Sequence, residues 1–291
     1  MQDLIAKAET LLEALPYIQR FSGATFVVKY GGSFMDSPDP AVREGVARDI
    51  VFLEAVEVNP VVVHGGGKAI TRALEQSGLP TRFVQGQRVT TAAMVEIVDR
   101  VLSREINPEV VATINHLGGV AQGFAGADIF TCRKLWLTGS DGARVDPGFV
   151  GEVTRVNTTP LLDCIARGFT PVISPTARGE DGAVYNCNAD VAAAMTAIAL
   201  RARRLVFMSD VPGLLRDAKN PASLISHLRT SEVNELKRAG VVDAGMIPKV
   251  DSAVGALRAG VEKVQFVDGR VPHSVLLEIF TDAGVGTEVV A

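Results

Sequence analysis

The sequence has few of the side chains that bind transition metals, since its 291 residues include only three cysteines and four histidines. Cys132, Cys164 and Cys187 lie far apart and form no CxxC pair, so we expect no zinc cluster and no protein-bound metal. Free thiols are typical of a reducing cytoplasm. The sequence therefore predicts a cytoplasmic protein.

Excess basic charge and long apolar runs are also lacking. The formal net charge is -4 and the pI about 5.7, which gives no reason to expect nucleic acid or an anionic membrane as partner. The longest apolar run, residues 191–200, is too short to cross a bilayer. Residues 1–16 lack the basic start and continuous apolar stretch of a signal peptide. We predict a soluble globular protein.

Two familiar phosphate-binding motifs are absent from the glycine-rich stretch VVVHGGGKAI (61–70). A Walker loop needs a glycine five residues before the Gly-Lys pair and a Ser or Thr after it, but Val62 and Ala69 stand there. The dinucleotide fingerprint needs a sixth-position glycine, and Ile70 takes that place. An anion at these glycines must be bound in another way.

The sequence does have a regular alternation of strand and helix patterns, beginning with the strand patterns TFVVKY (25–30) and PVVVH (60–64). This alternation predicts an α/β fold, an open and mostly parallel sheet with helices on both faces. Two stretches, 79–90 and 141–157, carry hairpin signals instead. Residues 201–203 are the best candidate for a boundary between two lobes.

An amphipathic helix is predicted at the start of the chain, with Pro16 as its end. Its apolar stripe either packs on its own domain or protrudes and pairs with a neighbouring subunit. The second alternative is plausible because the helix precedes the first strand and does not join two strands. The stripe consists of Leu4, Ile5, Ala8, Leu11, Leu12 and Leu15.

Glycines and a lysine follow the ends of the predicted strands. Lys29 ends the first strand before Gly31 and Gly32, and the second strand runs into Gly66 and Gly67. Ligands of open α/β sheets bind outside the carboxyl ends of the strands. Two glycine turns at one such edge would present bare backbone N–H groups to an anion. Either turn alone is ordinary turn chemistry, and the pair together favours a site.

Two further polar patterns stand out. The stretch YNCNAD places Asn186, Asn188 and Asp190 on alternate positions, which in a strand would face one side. The alternative is an N-cap for the alanine-rich helix that follows. Lys249 lies near a predicted helix start, where the macrodipole disfavours a cation. It is either a surface lysine or a functional one.

In order, VVKYGGS, VVVHGGGKAI, GQRVT, YNCNAD, MSDVPGLL and AGMIPKVDSAV resemble the successive motifs of the acetylglutamate kinases, a branch of the amino acid kinase family. The resemblance runs from about Thr25 to the C-terminus, and its ordered set is specific. It implies a three-layer αβα sandwich and transfer of the ATP γ-phosphoryl group to the side-chain carboxylate of N-acetyl-L-glutamate, in arginine biosynthesis. It also implies Mg²⁺ bound through the ATP phosphates. The implied division is an oligomerisation helix (1–22), a lobe for the acyl amino acid and dimer contacts (23–202) and an ATP lobe (203–291).

The resemblance also implies a role for each matching residue. Lys29 and Lys249 would stabilise the transition state, with Asp190 between them. Arg88 and Asn186 would bind the α-carboxylate of the substrate. The remaining substrate positions are Gly66, Gly67 and Asn188, and the ATP positions are Gly31, Gly32, Ser209, Asp210, Gly213, Leu214, Gly245 and Met246 within a site that includes residues 241–249.

The leading helix and the C-terminal stretch resemble the arginine-inhibited branch, in which such a helix links homodimers into a hexameric ring. Effector positions would be Arg204, Gln265, Glu278 and Gly284, with Gln265 where a histidine is usual and Arg204 where a lysine is usual. A second departure is Ala-Gly-Ala-Asp at 125–128, where the family reads Ser-Gly-Lys-Asp. The acyl-group specificity is the property that this departure leaves open.

Three functions remain to be weighed. The first is phosphorylation of N-acetyl-L-glutamate. The second is a sister kinase acting on another carboxylate, such as aminoadipate on a carrier protein, glutamate, aspartate or carbamate. The third is a non-catalytic nucleotide sensor. Loss of Lys29, Lys249 or Asp190 would mark the third, and all three are present.

Overall fold

The computed structural model describes residues 1–37, 39–139, 142–242, 245–282 and 284–291. Within these residues, strands and α-helices alternate along the chain as the sequence predicts. The strands are β1 Thr25–Tyr30, β2 Asn59–His64, β3 Phe83–Val84, β4 Gln87–Arg88, β5 Ala121–Phe124, β6 Phe130–Lys134, β7 Leu137–Thr138, β8 Arg144–Val145, β9 Val150–Val156, β10 Thr170–Ile173, β11 Thr176–Gly179, β12 Val184–Cys187, β13 Arg204–Ser209, β14 His227–Arg229, β15 Lys263–Asp268 and β16 Thr287–Val290.

The helices begin with the long N-terminal helix and end just before the last strand. They are α1 Gln2–Phe21, α2 Pro40–Ala55, α3 Gly67–Gln76, α4 Ala92–Asp99, α5 Asn107–His116, α6 Gly126–Ile129, α7 Thr159–Ala166, α8 Ala189–Ala199, α9 Val233–Arg238, α10 Ile247–Arg258 and α11 Ser274–Ile279. Wide π-helical turns over Arg100–Ile106 join α4 to α5, and short 3₁₀ turns lie at Ser33–Asp36 and Pro221–Ser223.

The central sheet has eight strands in the order β14-β16-β15-β13-β1-β2-β10-β5. The six strands from β15 to β5 are parallel, and β16 runs antiparallel to β15. Alternate residues of the buried strands supply two cores, one on each face. Val27 and Phe207 pack with α8 and α10, whereas Val28 and Met208 pack with α2, α3, α5 and α11. This is the predicted three-layer αβα sandwich.

A small closed barrel, β11-β12-β9-β6, lies beside the sheet. The hairpin predicted within 79–90 is present, since Phe83 pairs with Arg88. The stretch 141–157 is not one hairpin: β8 pairs backward with β7, and β9 pairs antiparallel with β6. Asp141, at its start, lies outside the described residues. The prediction failed there because both partners of the pairing precede the stretch.

Helix α1 does not end at Pro16, which lies inside it; the helix continues to Phe21. Phe21 is fully buried and packs edge-to-face on Phe26, with ring centroids 5.2 Å apart. This anchoring offsets the backbone hydrogen bond that a proline removes from a helix interior. The apolar stripe earlier in α1 is exposed: Leu4, Ile5, Leu11, Leu12 and Leu15 are 42–70% accessible.

Among the described residues, no helix combines the length and the apolar character needed to cross a membrane.

Candidate active site

A cavity of about 940 Å³ opens at the carboxyl ends of β1 and β2. Its walls are the two glycine turns, the hairpin β3–β4, the helical segment around Leu102 and the start of α8. Parallel strands bring these turns to one edge of the sheet, where ligands of such folds bind. The sequence prediction of a site at this edge is therefore consistent with the place of this cavity.

Asp190 bridges two lysines at the cavity. Its Oδ1 lies 3.1 Å from Lys29 Nζ, and Lys249 Nζ donates to its Oδ2 at 2.5 Å. The three side chains are only 9–17% exposed. The structure thus brings together three residues that are separated by 161 and 59 positions in the sequence.

The electrostatics of this bridge favour an ionised carboxylate. Burial by itself would raise the pKa of Asp190, but Lys29 and Lys249 outweigh it and lower that pKa below its usual range. For Lys29, burial lowers the pKa, and Asp190 opposes this effect. Two cations around one buried anion leave a net positive charge, which an anionic ligand such as a phosphoryl group would neutralise.

Of the two alternatives for residues 186–190, an extended strand or an N-cap, the structure has the N-cap, at Asn188. Strand β12 ends at Cys187, and Asn188 is instead the N-cap of α8, its Oδ1 accepting from the backbone N–H of Asp190 at 2.8 Å and of Val191 at 3.2 Å. A helix start is favoured here over a longer strand, because the cap accepts from backbone N–H groups that would otherwise be unpaired. Even so, Asn186, Asn188 and Asp190 all line the cavity.

Two glycines leave room for neighbouring groups at the cavity floor. A Cβ on Gly31 would lie 3.0 Å from Lys29 Nζ, so a side chain there would push the lysine from its place. A Cβ on Gly66 would lie 2.6 Å from both Leu102 and Ile106. Gly67 begins α3, and the first N–H groups of a helix have no partner within it, so this helix start offers donors at the cavity that Gly66 and Gly67 line.

Arg88 is a buried cation at the base of the hairpin, only 7% exposed. Its guanidinium donates to Gly67 O at 2.9 Å, to Thr71 Oγ1 at 2.8 Å and to Thr81 Oγ1 at 3.1 Å, and it stacks over Phe83. Burial lowers its pKa. Among the residues that the structure describes, no carboxylate forms an ion pair with Arg88, so the arginine fits an anionic ligand.

Sequence reasoning missed the threonines that hold these groups. Thr71 accepts from Arg88 and donates to Gly67 O at 2.9 Å. Thr90 Oγ1 donates to Arg88 O at 2.8 Å and accepts from Asn186 Nδ2 at 3.4 Å. Thr71 lies four residues after Gly67, one turn along α3, and that spacing is the only signal of its position.

The predicted nucleotide residues divide into two sets. Gly31, Gly32 and Asp210 line the cavity. A Cβ on Gly32 would lie 2.7 Å from Asp210 Oδ1. The cavity lining does not include the others: Ser209, Gly213, Leu214, Gly245 and Met246.

Leu214 is buried in the core, and its N–H donates to Thr287 Oγ1 at 2.8 Å. Gly213 has φ +144°, a conformation that needs glycine. Gly245 is exposed beside residues 243 and 244, which lie outside the described residues. The ATP role of these positions stays a prediction.

Three of the four predicted effector residues form a cluster away from the cavity. Gln265 Nε2 donates to Glu278 Oε1 at 3.3 Å. Glu278 Oε2 accepts from the N–H of Val285 at 2.7 Å and of Gly286 at 2.9 Å. A Cβ on Gly284 would lie 2.8 Å from the same carboxylate.

Arg204, the fourth, lies on the same face of the sheet, two residues before the register partner of Gln265. Its guanidinium is over the ring of Phe21 at 5.3 Å and 3.8 Å from Glu288 Oε1. The end of α1 therefore covers Arg204. Within the described part of the chain, Nε and Nη1 of Arg204 and Oε1 of Gln265 are buried without a hydrogen-bond partner.

His64 ends β2 and is fully buried, with Nδ1 2.8 Å from Gly65 O. Because a carbonyl can only accept, Nδ1 carries a proton in this contact. Burial lowers the pKa of His64 to about 4. A neutral, fully buried ring bonded to the Gly65 backbone fits a structural role in the turn.

We expect His64 to make folding sensitive to acid. In the unfolded chain this ring takes up a proton near its ordinary pKa of about 6.5, whereas in the folded chain it does so only near pH 4. The free energy of unfolding therefore has its full value above pH 6.5 and falls by roughly 3 kcal/mol as the pH drops to about 4. His64→Asn should reduce the slope of the unfolding free energy against pH by the amount that corresponds to the uptake of about one proton. Urea unfolding between pH 7 and pH 4.5 measures it, with the exposed His116→Asn as control. Equal slopes for His64→Asn and the wild type would contradict the expectation.

Comparison with known proteins identifies the family that this chain matches. Residues 24–268 match the model of the amino acid kinase family. The acetylglutamate kinase of Pelotomaculum thermopropionicum is 47% identical over 289 residues, covering 97% of each chain, and that of Geobacter sulfurreducens is 48% identical over 296 residues, covering 99% of each.

Solved structures share the fold. N-acetylglutamate synthase from Neisseria gonorrhoeae, complexed with coenzyme A and N-acetyl-glutamate, superposes with a TM-score of 0.83 at 24% identity. The match covers 98% of this chain but only 63% of the synthase. Carbamate kinase from Giardia superposes with a TM-score of 0.67 at 13% identity, over 92% of this chain and 99% of that one. At these identities the likeness shows the fold alone.

Proposed function

This chain belongs to the amino acid kinase family, and from that premise we propose that it transfers the γ-phosphoryl group of ATP to the side-chain carboxylate of N-acetyl-L-glutamate. The products are N-acetyl-L-glutamyl 5-phosphate and ADP, in a cytoplasmic step of arginine biosynthesis. The observation that carries the proposal is the Asp190 carboxylate between the ammonium groups of Lys29 and Lys249.

The chemistry needs charge neutralisation more than proton transfer. A carboxylate oxygen attacks the γ-phosphorus, the bond from phosphorus to the β–γ bridging oxygen breaks, and the electron pair leaves with ADP. The nucleophile is already ionised at pH 7, so no general base is needed. One pair of unit charges about 4 Å apart is worth roughly 4 kcal/mol at an effective dielectric of about 20. Lys29 and Lys249 offset that repulsion, and Asp190 holds them in position.

The glycine turns complete the anion site. Backbone N–H groups at Gly31 and Gly32 would contact the phosphoryl group in flight, and those at Gly66 and Gly67 the acyl amino acid. The planar fork of Arg88 suits a carboxylate with two oxygens. Asn186 is linked to the Arg88 backbone through Thr90, whose Oγ1 donates to Arg88 O and accepts from Asn186 Nδ2. This pairing favours a substrate with a second carboxylate besides the one that is phosphorylated, which carbamate lacks.

Mg²⁺ would be held through the ATP phosphates. Asp190, one of the carboxylates at the cavity, is already engaged by two lysines. The ion would supply further neutralisation of the phosphate charge.

A coupled assay for ADP formation tests the function. We expect turnover with N-acetyl-L-glutamate and at least a hundredfold lower kcat/KM with L-glutamate, L-aspartate, carbamate and aminoadipate on its carrier protein. A higher kcat/KM with one of these would support a sister kinase instead. ATP binding without turnover of any of them would support a nucleotide sensor.

We also propose that the exposed stripe of α1 pairs with a second copy, linking homodimers into a hexamer. The leucines at positions 4, 11, 12 and 15 are 42–70% exposed, and an apolar row of this length on a helix is typically covered in an assembly. Arginine would act near Arg204, Gln265, Glu278 and Gly284, and Phe21 at the end of the same helix covers the first of these. The choice of arginine as the effector is supported by the N-acetylglutamate synthase from Neisseria gonorrhoeae, which has been crystallised in complex with coenzyme A and L-arginine.

One experiment tests both ideas. Activity and sedimentation velocity are measured while arginine is added to the wild type and to Leu11→Glu/Leu12→Glu. We expect inhibition at millimolar arginine and a hexamer in the wild type, and smaller particles in the variant. Unchanged activity would exclude the effector, and identical sedimentation of both proteins would exclude the helix contact.

A further inference from the structure

Six apolar residues recur at every fourth position through α4, the π-helical turns and α5. All six are at least 92% buried. The pattern runs unbroken over more than twenty residues, although the helix type changes within it. The row is Met94, Val98, Leu102, Ile106, Val110 and Ile114.

A regular α-helix cannot keep such a row on one side. With 3.6 residues per turn, each step of four residues advances by about 40°, so five steps would turn the row roughly 200° around the axis. In π-helical turns, with i→i+5 hydrogen bonds and roughly 4.4 residues per turn, a step of four instead falls about 30° short. The turns at Arg100–Ile106 therefore correct the phase in the middle of the row.

The correction falls where the row meets the active site. Leu102 and Ile106, in the π-helical turns, and Val110, one step further in α5, line the cavity, whereas Met94, Val98 and Ile114 do not. The terminal carbons Leu102 Cδ2 and Ile106 Cδ1 would each lie 2.6 Å from a Cβ on Gly66, so both side chains rest directly on that glycine. They form an apolar wall beside the N–H groups assigned to the acyl amino acid.

Hydrogen bonds hold the π-helical turns in this position. Ser103 Oγ donates to Asp99 Oδ1 at 2.9 Å and lies 2.8 Å from Ser174 Oγ, at the end of β10. Ser174 Oγ in turn accepts from the N–H of Gly126 at 2.8 Å. A Cβ on Gly126 would lie 2.0 Å from Ser174 O, so this glycine admits no side chain. Gly126, which agrees with the family pattern between the departing residues Ala125 and Ala127, is thus linked through Ser174 to the π-helical turns.

We infer that the π-helical turns set the acyl-group specificity, by placing Leu102 and Ile106 against Gly66 as the wall that limits the length of the N-acyl chain. The inference rests on the proposed function and goes further by naming the residues that select the acyl group. An acetyl methyl needs little room at an apolar wall. A longer chain must displace packed side chains, and each methylene in an apolar pocket is worth roughly 10- to 200-fold in kcat/KM.

The test compares N-acetyl-, N-propionyl- and N-butyryl-L-glutamate as substrates of the wild type and of Leu102→Ala. We expect the ratio of kcat/KM for butyryl over acetyl to rise at least about tenfold in the variant. The KM for ATP should stay within about threefold of the wild-type value. Ile114→Ala is the matched control, because it removes the same number of carbons from the same row outside the cavity, and its ratio should stay at the wild-type value.

The results distinguish a failure of the inference from a failure of the proposed function on which it rests. A wild type that does not phosphorylate N-acetyl-L-glutamate removes the proposed function. An active wild type with an unchanged ratio in folded Leu102→Ala overturns the inference alone, as does an equal rise in Ile114→Ala. If Leu102→Ala does not fold, Ile106→Val removes one carbon from the same wall, and a rise of less than about twofold in its propionyl-to-acetyl ratio overturns the inference.

Discussion

Lys249→Ala is expected to lower kcat by about two to three orders of magnitude, with ATP binding within a few-fold of the wild type. Removing one preorganised donor to a developing oxyanion typically costs 100- to 1,000-fold in kcat. Lys249 donates to Asp190 from the first turn of α10, so its loss removes one charge and leaves the carboxylate paired with Lys29 alone. Steady-state kinetics and calorimetric titration with a non-hydrolysable ATP analogue measure the two quantities.

The matched control is Lys237→Ala. Lys237 pairs with Asp251 on the outer side of α10, and it does not line the cavity. Its loss should leave kcat unchanged, because exposed ion pairs contribute little. A Lys249→Ala enzyme with near-normal turnover would remove the assignment of the lysine pair.

Arg88→Ala should raise the KM for N-acetyl-L-glutamate by about 100-fold while the KM for ATP changes little. A charge-assisted hydrogen bond contributes roughly 1.5–3 kcal/mol, and a tenfold change in affinity corresponds to about 1.4 kcal/mol. The buried guanidinium is already oriented by Gly67, Thr71 and Thr81, so little ordering is needed when a carboxylate binds. Initial rates over a matrix of both substrates separate the two KM values.

Arg82→Ala is the control on the same hairpin, because its side chain is exposed and outside the cavity. It removes an equal charge without touching the site. If Arg88→Ala bound the acyl amino acid as well as Arg82→Ala does, the carboxylate would have to bind elsewhere.

Much of the fold was predictable because strand and helix patterns here differ clearly in period. The strands that carry Lys29 and His64 are apolar on both faces, as expected for a sheet covered on both sides. The meeting of Lys29, Asp190 and Lys249 was implied by the resemblance to the acetylglutamate kinases, which rests on the order of the motifs. Their distances could not be predicted, because they depend on how α8 and α10 pack.

The open and the wrong predictions have local causes. Asn188 satisfies both a strand pattern and a cap pattern, and only the helix that follows decides between them. Pro16 favours a helix end, but the burial of Phe21 five residues later outweighs that preference. The π-helical turns do have a sequence signal, the four-residue repeat from Met94 to Ile114, but it is legible only over a stretch longer than a single helix.

The main sheet also constrains how the protein can move. Strand β1 lies in the first predicted lobe and β13 in the second, and four residue pairs align along their shared ladder. A rigid-body opening of the two lobes would break the hydrogen bonds between β1 and β13, which lie in a fully buried core. We therefore expect Lys29, which this ladder holds in place, to keep its position while a ligand binds or leaves.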